Sequence, residues 1–213
     1  MRKLIYIPIV HTAADMGSLL PAAKAEFLRR YGEQEWEDHN AVIGGFWEGL
    51  RERIAGLHLE YARTYLYQDG LPVCGKESEI VTDLARQGSQ NHALLLWLVS
   101  EGATLVGTEA PEVLLEEHEL VRGVLTAPEG EKRQAALEAY KTKGKELLAR
   151  RDEYIRHRIN ATLSDNCTGL LFIGLMHRVD ETLPKDVSVS YLIHRLPFRR
   201  AADINRLGGE EET

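Results

Sequence analysis

Four short polar stretches carry residues that could do chemistry together. His11-Thr12-Ala13-Ala14-Asp15 follows one apolar run, Gln68-Asp69-Gly70-Leu71-Pro72 a second, Gly107-Thr108-Glu109 a third, and Gly174-Leu175-Met176-His177-Arg178 closes a fourth. Two neutral imidazoles and a carboxylate can hold Zn²⁺ with one position open for water, or Mn²⁺ or Fe²⁺ with more positions open. Water bound there is acidified into a nucleophile near neutral pH. On that reading His11, Glu109 and His177 are metal ligands, and Asp69 is a fourth ligand or orients a histidine. Without a metal, one histidine is the general base for water, oriented by Glu109 or Asp69, and Arg151 stabilises an oxyanion. Both versions are hydrolysis of a peptide, amide or ester bond. The spacings match no diagnostic metal motif such as His-Glu-x-x-His, so the two versions stay open.

Each residue also has an ordinary structural reading. Asp69-Gly70 is a common turn dipeptide. Glu109 lies just before Pro111, where a helix dipole favours a negative charge. A histidine ending a buried strand is more often a satisfied polar residue than a ligand. Their convergence on one edge is what favours a site.

That convergence depends on the elements behind the four stretches. Leu4 to Val10, Arg63 to Tyr67, Thr104 to Val106 and Leu170 to Leu175 are near-continuous β-rich runs, as in strands covered on both faces. Val187 to His194 alternates Val187, Val189, Tyr191 and Ile193 with more polar positions, the period-2 pattern of a half-exposed strand. Ile43, Trp47, Leu50, Ile54 and Leu57 step by three and four residues, predicting a helix from about Glu35 to Gly56. Glu77 to Gln87, Asn91 to Ser100 and Pro111 to Val124 read as shorter helices. A long charged helix is predicted over Glu131 to Leu163, with Leu137, Tyr140, Leu147, Leu148, Ile155 and Ile159 as its buried seam.

Strands alternating with helices predict an α/β fold: a mostly parallel sheet of about five strands, helices on both faces, and the long helix in the C-terminal half. Right-handed crossovers then bring every strand-to-helix turn to one edge, where ligands of open α/β sheets bind. Arg151 falls on the apolar seam of the long helix and needs an anionic partner, a site carboxylate or a substrate oxygen. Ser89 and Asn91 read first as a helix cap and its neighbour. Cys74 has no base beside it, and His92, His118, His157 and His194 are treated as structural.

Composition bounds the function from outside. The 213 residues hold 26 Lys+Arg against 33 Asp+Glu, a formal net charge of −7, with 44% hydrophobic residues. A globular chain of one domain follows, spanning 1–198, with a flexible polar tail over 199–213. The acidic balance lacks the basic footprint of a nucleic-acid binder. No apolar run approaches the roughly 20 residues that cross a bilayer. With two cysteines and no cleavable leader, the expectation is a cytoplasmic protein. Part of the acidic excess, Asp15, Asp69 and Glu109, falls where ligands bind, which suits a cation or an uncharged substrate better than a phosphate.

A histidine three residues after a glycine or proline at the first strand, a glutamate after a middle strand, and the late Gly174-Leu175-Met176-His177 resemble the TraB/Tiki group. That group is related to the erythromycin-esterase-like and ChaN-like proteins. Its pattern also has an arginine-containing segment before the late strand, here Arg151-Asp152-Glu153-Tyr154-Ile155. The resemblance covers Leu4 to His177 in order of elements, and implies an α/β fold and, for some members, metal-dependent peptidase activity. The first motif departs from it, with Pro8 in place of glycine. Two other classes remain beside a hydrolase of a small molecule or peptide. One is a ligand-binding or regulatory module using the same crevice without turnover. The other is an interaction protein whose long helix from Glu131 serves as a homodimer or partner surface.

Overall fold

The chain alternates apolar residues to opposite sides of a sheet that is covered on both. In the first strand, β1 (Arg2–Ile9), Ile5, Ile7 and Ile9 enter one core, while Leu4 and Tyr6 enter another. The computed structural model describes residues 1–194, so the expected domain end at 198 and the tail over 199–213 lie outside the described residues. β2 (Thr64–Gln68), β3 (Thr104–Val106), β4 (Thr168–Gly174) and β5 (Val187–Tyr191) complete a five-stranded sheet in the order β3-β2-β4-β1-β5. Every pairing in it is parallel.

Among the described residues, six α-helices connect the strands: α1 (Leu20–Tyr31), α2 (Glu33–Ala55), α3 (Glu77–Arg86), α4 (Gln90–Ser100), α5 (Pro111–Thr126) and α6 (Glu131–Thr162). Helices α2 to α4 cover one face, where Trp47, Leu50, Ile54, Leu95 and Leu98 pack on Ile7, Leu66, Leu170 and Phe172. On the other face, Ile155 and Ile159 of α6 pack on Leu4, Tyr67, Leu171 and Ile173. This division follows from right-handed crossovers: β1 to β2 to β3 moves toward one edge, and β3 to β4 to β5 moves toward the other. The connections therefore leave β2 and β4 in opposite directions. Between those two neighbours lies the switch point, the crevice where such sheets bind ligands.

Two expectations are corrected here. The fifth strand ends at Tyr191 rather than His194. Arg2 N–H donates to Asp186 and Leu192 N–H to Tyr6, so the next rung on that side would need an N–H from Pro8, which has none. Tyr191 and Ile193 are exposed, and Leu192 is buried against the opposite core.

The expected seam of α6 holds only in its second half. A 32-residue helix is about 48 Å long, far longer than a seven-residue strand, so its first half overshoots the sheet. Its buried residues are Leu147, Arg151, Ile155 and Ile159, whereas Leu137 is half-buried and Tyr140 is exposed. The short core that ties α5 to α6 contains Val113 and Leu147.

Helix α1 has no sequence expectation behind it. None of its residues is fully buried, and its apolar face packs through Phe27 on Trp36 of α2 rather than in the cores on the sheet. It is fastened from outside: Glu26 pairs with Arg133 of α6, and Ser18, just before it, meets His118 of α5 at 3.0 Å. Among the described residues, no helix is long and apolar enough to cross a membrane.

Candidate functional site

The carboxyl ends of β1, β2 and β4 bring His11, Asp69 and His177 together. Asp69 leaves β2 and its Oδ2 accepts the Gly174 N–H at the end of β4, at 2.8 Å. The same oxygen lies 3.4 Å from His11 Nε2 and 3.6 Å from His177 Nε2. Gly174 makes this crowding feasible. A Cβ there would sit 2.9 Å from Asp69 Oδ2 and 3.8 Å from His11 Nε2. The glycine of Gly174-Leu175-Met176-His177 is thus the space in which the carboxylate and two imidazoles meet.

Glu109 reaches the cluster through a zipped pair of loops. Val73 N–H donates to the Glu109 carbonyl, while the Thr108 and Glu109 N–H groups donate to the Leu71 carbonyl, extending the register of β2 and β3 past the strands. Gly70 adopts a positive φ of 78°, and its N–H donates to Glu109 Oε1 at 2.6 Å. Asp69-Gly70 is therefore both a turn and part of the cluster.

Arg151 rises from the buried stripe of α6, and site carboxylates are its partners. Its Nε donates to Glu109 Oε2 at 2.5 Å and its Nη1 to Glu117 at 2.7 Å. Its Nη2 donates to Asp69 Oδ1 at 2.5 Å and Glu109 Oε1 at 2.8 Å. Four of the five guanidinium hydrogens are thereby committed, so the expected role of oxyanion donor gives way to one of fixing Asp69 and Glu109. Burial disfavours the cation, but Glu109, Asp69 and Glu117 outweigh it and raise the Arg151 pKa.

His177 is buried and spends both ring nitrogens. Nδ1 lies 2.5 Å from Asp152 Oδ1 and Nε2 faces Asp69. Burial pulls its pKa down, yet the bonds to Asp152 and Asp69 prevail and push it up to about 9. His11 differs in access: 48% of its side chain is exposed, against 4% for Asp69. Burial of its ring lowers its pKa, and Asp69 with Asp15 raises it above the ordinary value. Its Nδ1 lies 4.0 Å from Asp15 Oδ2, beyond hydrogen-bond range, and is the ring nitrogen left for another partner. Burial opposes ionisation of Asp69, but the two histidines hold its carboxyl well below the usual range. Glu109, wholly buried, is raised by that burial despite Arg151.

Residues treated as structural or as a helix cap form the outer part of the cluster. Asp15 Oδ1 accepts Ser89 Oγ at 2.5 Å and lies 3.1 Å from His92 Nδ1, while its Oδ2 accepts the Thr12 N–H. Burial works against its charge, and the bonds from His92, Ser89 and Thr12 hold its pKa below the ordinary value. Ser89, His92 and Asp15 do not form a nucleophile relay. Serine and aspartate meet the same imidazole nitrogen, Nδ1, whereas a relay uses one nitrogen for each. Ser89 is the N-cap of α4, as its position predicts, and accepts the His92 N–H. The spacings His11-x-x-x-Asp15 and Ser89-x-x-His92 are the signal that could have marked this group.

A divalent metal on His11, Glu109 and His177 fits this donor set poorly. Both Glu109 oxygens are taken by Arg151 and Gly70, and both His177 nitrogens face carboxylates. His11 alone offers an uncommitted nitrogen. Among the described residues, no group of three or more His, Cys, Asp or Glu is placed to hold a metal ion. Comparison of the chain with protein-family models, with curated proteins and with solved structures returns no match.

Proposed function

We propose that this chain is a hydrolase of peptide, amide or ester bonds that uses His11 as its acid–base group without a metal. One observation carries the reading: an imidazole half open to solvent is backed by a buried carboxylate, with Asp69 Oδ2 3.4 Å from its Nε2. A proton on Nε2 directed at Asp69 leaves the Nδ1 lone pair free to take a proton from water as it attacks the carbonyl carbon, and Nδ1 returns that proton to the departing oxygen or nitrogen as the C–O or C–N bond breaks. The resulting imidazolium is stabilised by Asp69, which remains ionised and is too buried to act on substrate itself.

Arg151, Glu109 and His177 are positioning residues in this reading. Arg151 and the Gly174 N–H fix Asp69, and Asp152 holds His177 against it. Convergence of both histidines on one oxygen supports a reacting site more than a silent binding crevice. Five carboxylates, Asp15, Asp69, Glu109, Glu117 and Asp152, surround one guanidinium and three imidazoles, which favours an uncharged or cationic substrate. The metal-free chemistry departs from the metal-dependent peptidase activity that the TraB/Tiki resemblance implies for some members of that group.

The test is turnover of chromogenic esters and peptide anilides by the full chain, with and without chelator, beside the His11→Ala variant. Expected are chelator-insensitive hydrolysis and a loss of about 100-fold or more in the variant. The rate should rise with pH through the raised His11 pKa, because the base form is needed. Equal turnover by wild type and variant would sink the assignment, and restoration of chelated protein by Zn²⁺, Mn²⁺ or Fe²⁺ would replace it with the metal version.

A further inference from the structure

Several of the buried polar atoms left without partners belong to residues at the carboxyl edge of the sheet, the edge that carries His11. Among the described residues, Thr12 Oγ1, Gln68 Oε1 and both Asn91 Nδ2 and Oδ1 are enclosed and make no hydrogen bond. Gln68 and Asn91 are fully buried, and Thr12 is 8% exposed. Buried polar side chains are nearly always paired, because desolvating one without a partner is costly. Asn91 is the extreme case, with a donor and an acceptor both unmet.

The three residues share one corner of the fold. Thr12 follows His11, and its N–H binds Asp15, which in turn binds Ser89 and His92 in the first turn of α4. Asn91 lies in that same turn, at the head of the stripe Asn91, Leu94, Leu95 and Leu98 that α4 buries. Gln68 is the last residue of β2, two residues after Leu66, which packs in the same core as Leu94, Leu95 and Leu98. Strand side chains alternate, so Gln68 stands on the α4 side of the sheet at its carboxyl edge. The N-terminus of α4, a crossover helix, lies at that edge as well.

The unmet groups specify their ligand. The Asn91 carboxamide presents N–H and C=O side by side, the pattern that a second amide answers with its own C=O and N–H. Gln68 has its Nε2 on the Asp69 carbonyl and offers an oxygen, and the Thr12 hydroxyl can donate or accept. None of the three is charged, Asp15 repels anions, and the cationic forms of His11 and His177 are already answered by the Asp69 carboxylate. Arg151 is committed to its carboxylates and cannot compensate one. We infer that Thr12, Gln68 and Asn91 form a substrate subsite for an uncharged carboxamide or peptide amide beside His11. Its role in turnover rests on the hydrolase reading above, whereas its binding does not.

The probes are acetamide and, as its charged counterpart of the same shape, acetate. They are titrated into ¹⁵N-labelled full chain while the side-chain NH₂ signals of Asn91 and Gln68 are followed. Acetamide should shift both signals saturably, and acetate should not. Asn91→Leu should weaken acetamide binding about 10-fold or more, and should raise Tm by about 2–6 °C, since it removes an unpaired buried amide. A lower Tm in Asn91→Leu, unmoved signals with acetamide, or equal shifts with acetate would each overturn the subsite. Thr12→Val, with a small change in volume, gives a second variant in which acetamide binding should weaken without loss of fold. His11→Ala should bind acetamide as wild type does. Acetamide binding in a chain that hydrolyses nothing would therefore remove the hydrolase reading and keep the subsite, and hydrolysis of amides unaffected in KM by Asn91→Leu would do the reverse.

Discussion

Arg151 gives the arrangement its sharpest energetic consequence. Its side chain is 9% exposed and binds Asp69 at 4%, Glu109 at 0% and Glu117 at 25%. Replacing it by methionine keeps the stem's packing and strands the buried carboxylates. Asp69 retains the Gly174 N–H and two histidines, but Glu109 keeps only the Gly70 N–H. Stranded in this way, Glu109 is expected to take a proton rather than stay charged, which caps the cost. From an ordinary value of 4.5, neutralising it at pH 7 costs about 3 kcal/mol, at about 1.4 kcal/mol per pH unit, and this is the upper bound of the deficit because burial already raises Glu109 in the wild type. That figure agrees with the roughly 3–5 kcal/mol typical of breaking a buried ion pair.

Arg151→Met should therefore lower Tm by up to about 6–12 °C at pH 7. The deficit should be no more than about 1 kcal/mol near pH 5.5 and should grow with pH, to at most about 5 kcal/mol near pH 8.5. Its direction follows from a folded-state pKa above the unfolded one: the penalty is absent below about 4.5 and rises with pH. Arg151→Lys, which keeps the charge but not the fork, should fall between the two. Thermal and urea unfolding of the three proteins at the three pH values measures this directly. Unchanged stability, or a deficit independent of pH, would refute a buried carboxylate cluster held by one guanidinium.

Two other variants probe the same centre. His177 is held protonated up to about pH 9 against 6.5 for an ordinary imidazole, so its stabilisation is complete below pH 6.5 and lost as pH rises through 9. The loss amounts to about 3 kcal/mol across that window, and His177→Gln should flatten it in unfolding curves; a wild type equally stable from pH 6.5 to 9 would contradict it. Gly174→Ala places a methyl group 2.9 Å from Asp69 Oδ2, and should cost about 1–3 kcal/mol while lowering hydrolysis about 10-fold or more through displaced histidines. An alanine variant with wild-type rate would show that the carboxylate has room.

The sheet was legible because its strands are covered on both faces and so read as continuous apolar runs. Once four such runs and an alternating, half-exposed fifth are separated by helices, handed crossovers bring His11, Asp69, Glu109 and His177 to one edge without further information. Arg151 was legible for a related reason: a guanidinium on the stripe of Leu147, Ile155 and Ile159 requires an anion. Illegible were features set by tertiary context. Helix α1 packs at the periphery with no fully buried residue, so its apolar face is short and easily passed over. The end of β5 depends on a proline in a different strand. His92 and Asp15 meet only because the loop after β1 crosses to the start of α4, and Asp152 meets His177 only because the second half of α6 lies over β4. Roles were harder still, since a four-residue motif does not say whether Glu109 faces a ligand or an arginine.

The central claim is that Asp69 couples a solvent-facing His11 to a buried His177. Imidazole titration by NMR in wild type and Asp69→Asn tests it most directly. In wild type His177 should titrate near pH 9 and His11 above 6.5. Removing the shared carboxylate charge should lower both values together, with His177 falling part of the way because Asp152 remains. Two histidines that titrate alike in both proteins, or a substitution that moves only one of them, would contradict the account.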